Sequence, residues 1–153
     1  MRTNIAPRSS GFTLVELVMV IILIGVLSAL GIGLFASRSA FSPLLATQQL
    51  ASATLLAQQA ALAGNVANSL TIEQGGSNFR FIVGAGTPAS RTFELPREGT
   101  SLSAPGGLPL TITFNSDGTP ASGANLGFTF TGDSTFKTCL SSLGAVYRGS
   151  CQL

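Results

Sequence analysis

Three patterns succeed one another along the chain. Residues 1–10 are polar, with Arg2 and Arg8 and no acid; from Phe12 to Ala36 the only charge is Glu16. The apolar run Leu17–Ala36 is roughly 20 residues, the length an α-helix needs to cross a hydrocarbon core of about 30 Å. Residues 44–63 (LLATQQLASATLLAQQAALA) then mix apolar positions with Gln, Thr and Ser, all tolerable in a helix. Leu44, Leu55 and Leu62 share one edge, with Leu45 and Leu56 about 100° away. Ala53, Ala57, Ala60 and Ala61 form a small-residue face with Leu50. A surface helix normally has one apolar stripe and a charged back. Two apolar faces without charge predict that one holds the domain and the other meets neighbouring helices. Pro43 either bends this helix or starts a new segment after Ser42. Gly64-Asn65 predicts its end.

Beyond Gly64 the period changes to two. Strand-like pieces occur at Leu70–Glu73, Asn78–Val83, Arg91–Leu95, Leu110–Phe114, Leu126–Thr131, Thr135–Leu140 and Ala145–Arg148, separated by Gly, Pro, Asn and Ser. Alternation in 78–83 (NFRFIV) and 127–131 (GFTFT) points the phenylalanines to one face as core. The fold class this predicts is α+β: a long amino-terminal helix, partly transmembrane, packed on an antiparallel β-rich carboxyl-terminal head.

Composition sharpens the picture. Charged residues are 9% of the chain, and none occurs between Arg38 and Glu73, against about a quarter in ordinary soluble domains. Such a stalk is expected to be covered by other subunits as well as by its own head. The apolar run is too long for a secretory signal, and no small-residue cleavage pattern follows it. Arg2 and Arg8 place the amino terminus in the cytoplasm and everything after Arg38 outside. Cys139 and Cys151, the only cysteines, then lie in an oxidising compartment, which favours a disulfide between them.

Glu16 sits where a carboxylate costs about 2.5–3.5 kcal/mol on membrane insertion scales. Two readings remain open. Thr13-Leu-Val-Glu16 has the capping-box form, in which Thr13 caps the helix and Glu16 reaches back to the cap amide. Alternatively, a cut after Gly11 would give Phe12 a new α-amino group, and the amine of one subunit could neutralise Glu16 of its neighbour. A charge pair buried in this way sets register rather than adding net stability.

The segment Gly11–Ala29 (GFTLVELVMVIILIGVLSA) resembles the amino terminus of type IV pilins and type II secretion pseudopilins. The resemblance implies that a membrane peptidase cuts after Gly11 and methylates Phe12, with Glu16 serving assembly. Where many of these proteins carry a proline, this chain has Gly31-Ile32-Gly33; the glycines suit either local melting during assembly or close helix packing. More loosely, residues 110–153 are similar to the heads of the FimT and GspH type of minor subunit, or of the MSHA pilus minor pilins. The implied division is a leader at 1–11, a membrane and filament-core helix at 12–36, an amphipathic half at 37–64, and a head at 65–153. The implied partners are other pilin or pseudopilin subunits, prepilin peptidase, an inner-membrane assembly platform, and lipid before assembly. The implied location is the bacterial inner membrane, head in the periplasm, and then the filament.

The remaining chemistry is sparse. Without histidine there is no Ser-His or Cys-His pair, and zinc lacks ligands. Glu94 and Glu98, beside Arg91 and Arg97, fit a solvated edge better than a glycosidase pair, and Asp117 and Asp133 are isolated turn acids. No enzyme, metal or cofactor is expected. Some FimT-like pilins serve DNA uptake with an arginine-rich carboxyl-terminal segment. Here Lys137 and Arg148, with Tyr147 for stacking, are the weak counterparts, so nucleic acid is not the expected partner. A pilus-tip module that binds DNA or a surface ligand is the alternative function.

Overall fold

The computed structural model describes residues 11–35 and 38–152. Residues 1–10 of the predicted leader at 1–11, with Arg2 and Arg8, and the predicted boundary at 36 and 37 lie outside them. The chain divides after Ser37 into two units, and each is described by itself.

The first unit is one helix, α1 (Leu14–Phe35). Its stretch Leu14–Gly31 is long and apolar enough to cross a membrane, and its side chains are exposed. Apolar side chains point outward all round, from Leu14 through Leu30. A helix of this kind needs lipid or other protein around it.

The second unit opens with α2 (Arg38–Leu62), which runs through Pro43 without a break. The buried Thr47 hydroxyl donates to the Pro43 carbonyl at 2.8 Å. The helix stops as expected: Gly64 takes φ 69°, its amide returns to Ala61 O at 3.0 Å, and the Asn65 amide returns to Ala60 O at 2.8 Å. That is the paired bonding of a Schellman ending, which a residue without Cβ allows.

Eight strands follow: β1 (Ser69–Gln74), β2 (Asn78–Val83), β3 (Arg91–Pro96), β4 (Ser101–Ser103), β5 (Leu110–Thr113), β6 (Leu126–Thr131), β7 (Thr135–Leu140) and β8 (Val146–Arg148). The seven expected strands are present within a residue or two. The sequence reading missed β4, which offers one inward residue, Leu102, between two serines. A strand that short has no period to detect. The strands form two antiparallel sheets, ordered β3-β2-β1-β5 and β4-β6-β7-β8.

One core joins both sheets to α2. Phe79 and Phe81 enter from β2, and Phe128 and Phe130 from β6; all four are buried. Phe79 meets Phe130 edge-on across the sheets, with centroids 5.9 Å apart. The helix contributes mainly small residues: Ala46, Ala53, Ala57 and Ala61, with Leu50. The two-faced helix is thus resolved in one sense, with the alanine face inside. Leu45, Leu55 and Leu62 remain about half exposed or more, as does Phe41.

Gln58 closes the end of this packing. It is buried, and its amide donates to Gly118 O at 2.9 Å and Gly144 O at 2.6 Å. Gly144 has φ 88°, and a Cβ there would lie 2.9 Å from the Gln58 nitrogen and 2.7 Å from Gly118 O. One side chain therefore ties α2 to the turn before β6 and to the β7–β8 turn. Gln58→Leu strands two carbonyls, which should lower stability by about 1–3 kcal/mol in urea unfolding. Gln59→Leu, on the exposed side, should change it by under about 0.5 kcal/mol. Equal effects would show that the two bonds do not hold the turns.

Candidate functional site

Gly11, Phe12 and Thr13 are non-helical, and α1 begins at Leu14. The Thr13 hydroxyl accepts from the Glu16 amide at 3.2 Å, and Thr13 O accepts from Leu17 N at 3.1 Å. Thr13 is therefore the N-cap, and the first half of the predicted capping box is formed. The second half is not: among the described residues the Glu16 carboxylate has no hydrogen-bond or ion-pair partner. It is exposed on the first turn of an otherwise apolar helix.

Nothing among the described residues requires glycine at Gly11. Its φ is not positive, and a Cβ there would meet nothing within 4 Å. Phe12 is 77% exposed, with no apolar packing to account for it. The peptide bond between them lies in open chain before the helix.

In the head, the predicted candidates fall apart spatially. Paired residues on adjacent strands share a sheet face, and neighbours along a strand alternate. Arg148 pairs with Thr138, whereas Lys137 pairs with Thr129. Lys137 and Arg148 therefore lie on opposite faces of their sheet. Tyr147 is engaged as well: its hydroxyl accepts from the Gln152 amide at 3.0 Å. Cys139 and Cys151 are joined by a disulfide, and Asn125 donates to Gln152 O at 3.2 Å. Together these hold residues 151–152 to the sheet.

The arginines of the other sheet are also used locally. Arg80 lies between Glu73 at 3.0 Å and Glu94 at 3.2 Å across three strands. Glu94 is thus half of an exposed ion pair, and Glu98 sits in the following turn with φ 44°. Arg97 donates to Gly75 O at 2.8 Å and Thr100 O at 2.9 Å, and lies over the Phe79 ring at 5.7 Å. Arg91 lies apart, at the far end of β3. Asp117 accepts from the Thr119 hydroxyl at 2.7 Å and its amide at 3.0 Å, which hold its carboxyl below the usual range. Asp133 is in the β6–β7 connection. Among the described residues no cluster of three or more His, Cys, Asp or Glu could hold a metal.

The prokaryotic N-terminal methylation motif matches residues 7–32. It includes Gly11, Phe12, Glu16 and most of α1. The structure is similar to that of the type IV minor pilin FimU of Pseudomonas aeruginosa strain PAO1 in two crystal forms. In one, the TM-score is 0.55 at 16% identity, over 75% of this chain and 92% of that one. In the other it is 0.51 at 15% identity, over 68% and 90%. The amino terminus thus carries the methylation motif, and the fold is similar to that of a minor pilin. No curated protein matches its sequence. The pilin resemblance of the amino terminus and the α+β pilin fold stand; the choice among FimT, GspH and MSHA types is unresolved.

The pilin-like amino terminus carries one direct expectation. Thr13→Val keeps the shape of the cap and removes its hydroxyl, at about 0.5–2 kcal/mol. Amide exchange of Glu16 should rise several-fold in detergent micelles, while exchange in α2 stays unchanged. An unaltered Glu16 amide would show that Thr13 is not the cap.

Proposed function

We propose that this protein is a structural minor subunit of a type IV pilus or a type II secretion pseudopilus. The observation that carries the reading is the junction itself. A methylation motif is matched on a glycine the fold does not require, followed by a carboxylate with no partner among the described residues of its own chain. The likeness to a minor pilin supports the same reading.

In this reading the precursor waits in the inner membrane with α1 in lipid and the head in the periplasm. Prepilin peptidase cuts after Gly11 and methylates Phe12. The Phe12 amine of one subunit then pairs with Glu16 of its neighbour. Within an apolar bundle either charge alone is strongly disfavoured, so the pair selects one register. The exposed Phe41, Leu45, Leu55 and Leu62 on α2 give neighbouring subunits a second apolar contact. The protein does no chemistry; a peptidase, an assembly platform and other subunits act on it or with it. A DNA-binding tip role gains no support from the head, where Lys137 and Arg148 face opposite ways.

Two substitutions separate processing from assembly. Gly11→Ala should fold normally, since its Cβ meets nothing, yet remain uncut with Met1 at its amino terminus by intact mass. Glu16→Ala should be cut to Phe12 and inserted, but enter sheared filaments at a small fraction of the wild-type level. Normal incorporation of Glu16→Ala would overturn the pairing. Wild-type protein still beginning at Met1 in peptidase-competent cells would overturn the whole reading.

A further inference from the structure

The two sheets have four edges, and they are not treated alike. Along β5, the Ala121 amide donates to Thr113 O at 2.8 Å and Phe114 bridges to Pro120, so the following loop covers that edge. At β4, the Leu102 amide donates to the Gln74 side chain at 2.6 Å. β3 is blunted only at its end, where Pro96 has no amide to offer and its carbonyl lies 3.4 Å from the Ser42 hydroxyl; the Arg97 N–Ser77 O bond sets a register that leaves Thr92 and Glu94 pointing outward. These are ways of blunting an edge that could otherwise pair with another chain.

β8 is different. Gly149 N donates to Lys137 O, and Ser141 N donates to Ala145 O, both at 2.8 Å. Hydrogen-bonded pairs alternate in an antiparallel ladder, so Tyr147 is the β8 residue bonded to β7. The amides and carbonyls of Val146 and Arg148 therefore point away from the sheet. Among the described residues no strand pairs there. Instead a groove of about 520 Å³ runs between this edge and α2, where it is lined by Thr47, Gln48 and Ser52. Thr138 lies in its wall, 2% exposed, with a hydroxyl that has no hydrogen-bond partner among the described residues. Among the described residues, Arg148 is the single charge lining the groove.

We propose that this groove receives an extended segment of a partner protein, added as a further strand on β8, with a carboxylate of that segment on Arg148. Outward backbone groups at two alternate residues supply the ladder, and the guanidinium in the groove lining selects an acidic side chain. The charge decides the occupant's chemistry: a strand bearing lysine at that position would meet a like charge. This goes beyond the filament reading and does not depend on it, because it concerns the head alone.

The test uses full-length protein in detergent micelles and a short synthetic peptide of alternating valine and threonine. The peptide has one central glutamate and blocked ends. Hydrogen exchange at the Val146 and Arg148 amides should slow in its presence, with Tyr147 unchanged. Fluorescence anisotropy should show binding weakened roughly tenfold or more when lysine replaces the glutamate, the size expected for losing one charge-assisted bond. Arg148→Glu should reverse this preference, which misfolding could not produce. Val146→Pro removes one outward amide, leaves the β7 ladder intact, and should weaken both peptides. The proposal is overturned if the two amides gain no protection, if glutamate and lysine peptides bind alike, or if a single-stranded oligothymidylate protects them equally.

Discussion

The contact between the alanine face of α2 and the phenylalanines of the two sheets is what the rest of the head depends on. Ala46, Ala53, Ala57 and Ala61 let the helix backbone come close. Phe79, Phe81, Phe114, Phe128 and Phe130 fill the space from the sheet side. Aromatic rings carry most of the apolar area in such a core, at about 150–250 Å² each. Small residues opposite them keep the interior close-packed without strained rotamers. With the bulk supplied from the sheets, Phe41, Leu45, Leu55 and Leu62 are turned out, and that is how one helix serves its own head and still presents an apolar exterior.

The buried polar residues of α2 are few and each has a defined task. Thr47 and Thr54 return their hydroxyls to their own helix at Pro43 O and Leu50 O. Ser42 reaches Arg97 O at 2.9 Å, and Gln58 reaches two turns. A buried polar group left without a partner costs about 1–3 kcal/mol, so these side chains specify which turns meet the helix as well as filling space. The scarcity of charge follows the same logic. Of the head's arginines, Arg80 and Arg97 are committed to ion pairs, carbonyls and a ring. Arg148 is left facing a groove.

The junction and the head differed in how far they could be read from residues. Gly11, Phe12 and Glu16 form a local signal, legible because motif, apolar run and misplaced carboxylate lie within a few residues of one another. Local chemistry also made the Gly64 stop and seven strands readable. β4 was missed because three residues carry no period. Lys137, Tyr147 and Arg148 looked like one basic patch because they are close in sequence. Alternation of faces along β7 and β8 depends on pairing register, which one strand's sequence does not contain.

The amino-acid sequence by itself determined the division into apolar helix, uncharged helix and β-rich head, since period, length and turn residues are local properties. It also carried the amino-terminal motif, whose chemistry needs only neighbouring residues and an accessible peptide bond. Tertiary structure decided which of the two apolar faces of α2 turns inward. Both faces are greasy enough to be buried, and only the size of the phenylalanines opposite selects alanine over leucine. It also decided which strand edges stay open, because an edge is defined by what fails to pair with it across long separations in the chain.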